Sequence, residues 1–432
     1  MTISLHHQAE VAINRHNVLR RRDFLRAVSL AGTAAGLFSW SDMMALQAAE
    51  LRKQGKACIL LWLAGAPSQF ETFDPKPGHA NGGETKVIAT SVPGIHIADN
   101  LPHTARVMDK MCLIRSMNSR EGAHARASYL MHTGYLPTAS VKYPTLGSNV
   151  AQQLGDPEFD LPSFVRIGNA RGGADAGLLG VEFNPFVTNN AASPPENTAI
   201  MTTARRYQRR LGLLGRLDKE YAAKGAQQEV ENQGKLYDKA AKMVLSPRMN
   251  AFDIQRESDA TRTAYGESPF GAGCLLARRL VESGVTFVEV NSAGWDTHFD
   301  NAERTTNLCS RIDQPYAELL RDLEKRGMLE NTMVVLMGEF GRTPKVNARG
   351  GRDHYPRAFS AALAGCGVQG GRVIGKTSRD GVNITDSPVG VSDMLRTICH
   401  GLGVDAEHEN MSSIGRPIKI VDGGEVVTEA FA

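Results

Sequence analysis

The stretch Ala57-Cys58-Ile59-Leu60-Leu61-Trp62-Leu63, closed by Ala64-Gly65-Ala66-Pro67, decides the fold class. An unbroken apolar run is what a strand covered on both faces requires, whereas a strand with one wet face alternates apolar and polar. The run is short for a helix and ends in turn-forming Gly and Pro. Such a strand belongs in the middle of a parallel sheet. Similar runs recur at residues 111–115, 285–290 and 333–337, and the last two each follow an amphipathic helical stretch. Strand and helix in alternation define an α/β protein.

The clearest helix covers residues 314–327, where Tyr316, Leu319, Leu320 and Leu323 recur three and four apart and Gly327 closes the end. That stripe is expected to pack on the sheet. Between about residues 199 and 263 the chain turns polar, with Tyr207, Leu211, Leu214, Leu217 and Tyr221 on one helical stripe and further helix over 236–244. This predicts a helical insertion or cap. No repeat or low-complexity tract interrupts the chain, which excludes solenoid architectures.

A chain of 432 residues, 42% hydrophobic and 22% charged, is long enough for one large α/β domain. Its formal net charge is +3, with Lys and Arg mixed among Asp and Glu along most of its length, so no nucleic-acid footprint stands out and no nucleic-acid partner is expected. Cys58, Cys112, Cys274, Cys309, Cys366 and Cys399 lie far apart, mostly within apolar segments. A disulfide scaffold or zinc ribbon would space them tightly, so they read as buried small hydrophobes.

Near the start, Arg20-Arg21-Arg22-Asp23-Phe24-Leu25-Arg26 precedes a small, apolar stretch over 27–40 that is too short to span a bilayer. The pattern resembles the twin-arginine signal of proteins exported already folded. The expected division is an export signal over 1–48 and one domain over 49–432 carrying the insertion at about 199–263. The expected location is periplasmic or extracellular, with the twin-arginine machinery as a partner and no spanning segment once the signal is removed. Ala45-Leu46-Gln47-Ala48-Ala49 lacks a strict Ala-x-Ala, so a retained N-terminal anchor stays open.

The densest chemistry follows the third apolar run, in Gly294-Trp295-Asp296-Thr297-His298-Phe299-Asp300. Ligands of parallel α/β sheets collect at the carboxyl ends of strands, and in an extended segment Asp296 and His298 point to one side while Thr297 points away. The fourth run leads into Met337-Gly338-Glu339-Phe340-Gly341-Arg342-Thr343-Pro344 and then Gly351-Arg352-Asp353-His354-Tyr355-Pro356. Two successive strand ends, read as neighbours, thus offer Asp296, His298, Glu339, Asp353 and His354, a donor set suited to zinc, manganese or calcium. Arg342 and Arg352 carry planar guanidiniums suited either to phosphate or sulfate oxygens or to a nearby carboxylate. Gly365-Cys366-Gly367-Val368-Gln369-Gly370 matches a dinucleotide fingerprint by letter, but a strand and turn rather than a helix follow it, so it reads as a glycine-rich turn.

Several segments together resemble the domain-of-unknown-function family 1501, which is grouped with the alkaline-phosphatase-like and sulfatase-like superfamily. They are Phe73-Asp74-Pro75-Lys76-Pro77, Gly273-Cys274-Leu275-Leu276-Ala277-Arg278-Arg279-Leu280-Val281-Glu282, Trp295-Asp296-Thr297-His298, and the Gly338 and Gly351 segments quoted above. The resemblance implies an alkaline-phosphatase-like, doubly wound α/β/α sandwich that hydrolyses phosphate or sulfate esters with metal above the strand ends. It implies that Asp296, His298 and His354 are metal ligands and that Glu339 is the acidic half of the superfamily's Asp-His pair.

Two departures stand out. The first strand ends in Ala64-Gly65 where the superfamily places an Asp, leaving Glu71 or Asp74 as substitutes, and Phe340 occupies the position of the pair's His. Thr133-Gly134-Tyr135-Leu136-Pro137 resembles the stretch after the sulfatase nucleophile, and counting back lands on His124 rather than Cys or Ser. His124 is therefore expected at the same site, as metal ligand or anion contact, with Ser116, Ser119 and Ser128 as nearby hydroxyls. The function implied is an exported metal-dependent hydrolase of an anionic small molecule or a sulfated or phosphorylated glycan. The alternative is a non-catalytic exported protein that keeps this fold to bind metal or sulfated glycan.

Overall fold

The computed structural model describes residues 55–168, 175–198, 201–412 and 414–432; the expected export signal lies outside them. The unbroken apolar run forms β1 (Ala57–Ala64), and its side chains divide between two cores as a doubly covered strand must. Ile59, Leu61 and Leu63 pack with α5 (Pro269–Glu282) and α6 (Asn301–Lys325) on one face. Cys58, Leu60 and Trp62 pack on the other with α1 (His124–Thr133), α2 (Leu146–Leu154) and α7 (Val391–Leu402). Helices on both faces of one sheet make the expected α/β/α sandwich. All six cysteines are buried and none is paired.

The main sheet joins β1 to β2 (Met111–Asn118), β3 (Phe164–Ile167), β4 (Phe186–Thr188), β5 (Phe287–Ala293), β6 (Thr332–Met337), β9 (Phe359–Ala364), β10 (Arg372–Ile374) and β11 (Val389–Gly390). Its order is β10-β2-β9-β6-β1-β5-β3-β4, with β11 beside β2. β9 runs antiparallel to both β2 and β6, so the sheet is mixed rather than purely parallel. β5 and β6 are not neighbours; each pairs in parallel with β1, which lies between them. The rim above these three strands therefore has a centre that the sequence reading lacked. A short ribbon of β7 (Gly341–Arg342) and β8 (His354–Tyr355) stands over it, with His354 opposite Arg342. The glycine-rich turn before β10 is followed by no helix, in line with its reading as a turn.

Two departures from the expected helices have physical causes. α6 runs from Asn301 and passes through Pro315, which cannot donate to the carbonyl of Arg311. Ser268 Oγ donates to that carbonyl at 2.8 Å, which removes the main penalty of an internal proline. The polar region forms α3 (Ala204–Ala222) and α4 (Gln227–Leu245), packed on each other. Its apolar stripe divides: Tyr207, Leu211 and Leu214 are half-buried, whereas Leu217 and Tyr221 are exposed.

Candidate metal centre at the strand ends

The site begins with a backbone requirement. Gly65 sits at φ +113°, and a Cβ there would lie 2.5 Å from the Asp296 amide nitrogen, so only glycine lets the end of β1 approach the loop after β5. Its N–H donates to Glu339 Oε1 at 2.9 Å, and its carbonyl accepts from Arg342. The first strand thus contributes main-chain polar groups where a carboxylate was expected. Neither proposed substitute reaches the cluster. Glu71 is buried and accepts from Arg352 Nε and Nη2 at 3.0 and 2.7 Å, and Asp74 binds Lys76 and Thr377.

Thr297 turns inward and donates to Asn301 at 2.6 Å, which leaves Asp296 and His298 on the open side. His124 arrives as the first residue of α1, and His354 on β8. The Nε2 atoms of His124, His298 and His354 lie 3.3, 3.0 and 3.4 Å from a single atom, Asp296 Oδ1. Each ring has its Nδ1 held from behind: His124 by Glu339 at 2.7 Å, His298 by Asp353 at 2.9 Å, and His354 by the Gly122 carbonyl at 2.8 Å. Carboxylates and carbonyls offer acceptors, so each Nδ1 donates, and a ring that is neutral then carries its lone pair on Nε2. His298 and His354 then face each other, Nε2 to Nε2, at 2.9 Å. Two lone pairs at that separation repel unless a cation or a proton lies with them.

The donor chemistry fits a divalent cation. His124, Asp296 and His354 offer ligand atoms all within 4.8 Å of one another, and His298 adjoins them through the same carboxylate oxygen. His124 Nε2 is buried without a hydrogen-bond partner, as is Glu339 Oε2 behind it. The Asp296 side chain remains 45% exposed, so the cluster opens to solvent. Burial pushes the Asp296 carboxyl up, but the Arg342 bond at 2.6 Å, with His124 and His298 beside it, outweighs this and holds it at about 2. The hydrogen bond to Glu339 raises the His124 imidazole against a smaller effect of burial. Burial lowers that of His354.

Other expectations are redistributed. Glu339 and Asp353 stand behind imidazoles, each accepting from a ring Nδ1 on the side away from Asp296. Arg342 is fully buried, with donors to Asp296 and to the carbonyls of Gly65, Ala66, Trp295 and Arg352. Arg352 is equally buried, bonded to Glu71 and to the carbonyls of Asn81, Thr343 and Pro344. Neither guanidinium faces an incoming anion; the carboxylate alternative describes both. Phe340 is fully buried, its ring centroid 4.9 Å from that of His124 and 4.7 Å from that of His354. Ser116 donates to the Ser387 carbonyl, Ser119 accepts from the Glu121 amide, and Ser128 is buried. The sequence reading missed Gly122, whose contribution is a carbonyl and leaves no side-chain signal.

Fold and cluster together define an α/β/α sandwich protein with a histidine and aspartate centre at the carboxyl rim of its sheet. Residues 55–431 match the family DUF1501, described as a protein of unknown function, and the chain belongs to that family. No curated protein matches the sequence. Among solved structures, the PsFucS1 sulfatase from Pseudoalteromonas sp. aligns at 13% identity over 85% of this chain and 72% of its own, with a TM-score of 0.41. The phosphonate monoester hydrolase of Agrobacterium radiobacter aligns at 10% identity over 87% and 77%, with a TM-score of 0.39. A protein in the alkaline phosphatase superfamily from Vibrio parahaemolyticus aligns at 10% identity over 83% and 75%, with a TM-score of 0.37. Likenesses this distant are silent on chemistry.

Proposed function

We propose that the protein is an exported, metal-dependent hydrolase of phosphate or sulfate esters, acting on an anionic small molecule or a sulfated or phosphorylated glycan. The observation that carries this reading is the convergence of three imidazole Nε2 atoms on Asp296 Oδ1, each ring held from behind by an acceptor. His124, Asp296, His354 and the adjoining His298 would hold a zinc, manganese or calcium ion. Such an ion supplies Lewis-acid polarisation of an ester oxygen and a bound water of lowered pKa. Arg342 fixes Asp296, and Glu339, Asp353 and the Gly122 carbonyl fix the three rings. The N-terminus of α1 begins at His124, so its partial positive charge favours an anion there.

Export by the twin-arginine route belongs to the same proposal and rests on Arg21, Arg22 and Phe24. Among the described residues no helix is long and apolar enough to cross a membrane. The test is hydrolysis of aryl phosphate and aryl sulfate by the exported protein after metal loading. Wild type should turn over one class and His354→Ala should lose at least about a hundredfold of that rate; equal rates would refute the hydrolase. Arg21→Lys with Arg22→Lys should leave precursor in the cytoplasm.

A further inference from the structure

We propose that the outward face of α3 docks the protein on an anionic lipid surface. No residue of α3 is buried, although it runs for 19 residues, or about 28 Å. α4 is fastened to the body by Lys235 to Glu182 at 2.7 Å, Lys239 to the Glu182 carbonyl at 2.6 Å and Lys242 to Glu158 at 3.5 Å. Tyr207, Leu211 and Leu214 are half-buried in α3. A second stripe at four-residue spacing, Leu213, Leu217 and Tyr221, is 55, 63 and 62% exposed.

The charge on this helix selects the occupant. Arg205, Arg206, Arg209, Arg210, Arg216 and Lys219 against Asp218 and Glu220 give +4, while the whole chain carries +3, which leaves −1 for the remainder. Among the described residues no guanidinium of the five arginines has an ion-pair or hydrogen-bond partner; Arg206 bonds only through its backbone N–H, to the Thr203 cap. Arg206 and Arg210 lie on the same side of the helix as Leu213 and Leu217, by the angular period of an α-helix. A second copy on this face would set +4 against +4, and a soluble polyanion would leave the leucines without a role. A lipid surface satisfies both features, because apolar side chains enter the acyl boundary while guanidiniums reach the headgroup phosphates on long stems. This inference does not depend on the metal centre.

The test is co-sedimentation of the full chain with vesicles of mixed phosphatidylglycerol and phosphatidylcholine, against phosphatidylcholine alone. Binding should require phosphatidylglycerol and weaken with salt. Arg206→Gln and Arg210→Gln should each lower the partition coefficient about fivefold. Leu213→Ser with Leu217→Ser should lower it about tenfold without altering the salt dependence. No binding to phosphatidylglycerol would overturn the proposal, as would binding untouched by both sets of changes. Capture by heparin that ignores the leucine changes would replace lipid with a soluble polyanion, and a dimer dissolved by them would replace it with a second copy.

Discussion

Glu339 and Glu289 are both buried carboxylates beside a histidine, yet they do different work. Glu339 accepts from His124 and so decides which ring nitrogen faces the cluster. Glu339→Gln should weaken metal affinity by about 10- to 100-fold with little change in fold, since the side chain acts through the ring. Titration against a competing chelator checks this, and an unchanged affinity would show that His124 needs no such partner. Glu289 lies away from the rim, 3.1 Å from Arg166 and 3.7 Å from His132. Burial raises its carboxyl, but His132 and Arg166 outweigh burial and hold it at about 2. A depressed carboxyl stabilises the fold fully above the ordinary range near ~4.3 and loses that contribution as pH falls toward its folded value. Glu289→Gln should therefore be less stable than wild type near neutrality, by about 3 kcal/mol. Denaturation midpoints should converge between about pH 4 and pH 2; a gap constant with pH would contradict the assignment.

Elements were legible where a single local rule decides them. The run from Ala57 reads as a doubly covered strand because every residue is apolar, and its alternate side chains do enter two separate cores. The antiparallel β9 was not legible, because Ala-rich Phe359–Ala364 carries a weak strand signal and strand direction leaves no mark in composition. The helix stripe read from residue 314 leaves out the turns before Pro315, and only the fold brings Ser268 to the carbonyl that Pro315 leaves without its partner. Ser268 also caps α5 by accepting from the Gly271 amide at 3.0 Å. Losing both bonds in Ser268→Ala should cost about 2 kcal/mol. A shift in the denaturant midpoint with unchanged slope would bear this out, and an unmoved midpoint would mean that the helix tolerates Pro315 unaided.

At the scale of the molecule, the site is a consequence of sheet order. β1 lies between β5 and β6 and is followed by Gly65, so Asp296 and Glu339 are drawn in from either side while α1 and β8 deliver His124 and His354 from other parts of the chain. The residue types and strand ends were readable from spacing. Which residues face the cluster and which stand behind its rings was not, since that depends on strand adjacency and on a carbonyl. The most direct measurement is elemental analysis of the natively exported protein beside Asp296→Ala and His354→Ala, with circular dichroism verifying that all three are folded. The geometry predicts about one zinc, manganese or calcium ion per wild-type chain and a large loss in both variants. A folded wild type with no more bound metal than the variants would contradict it.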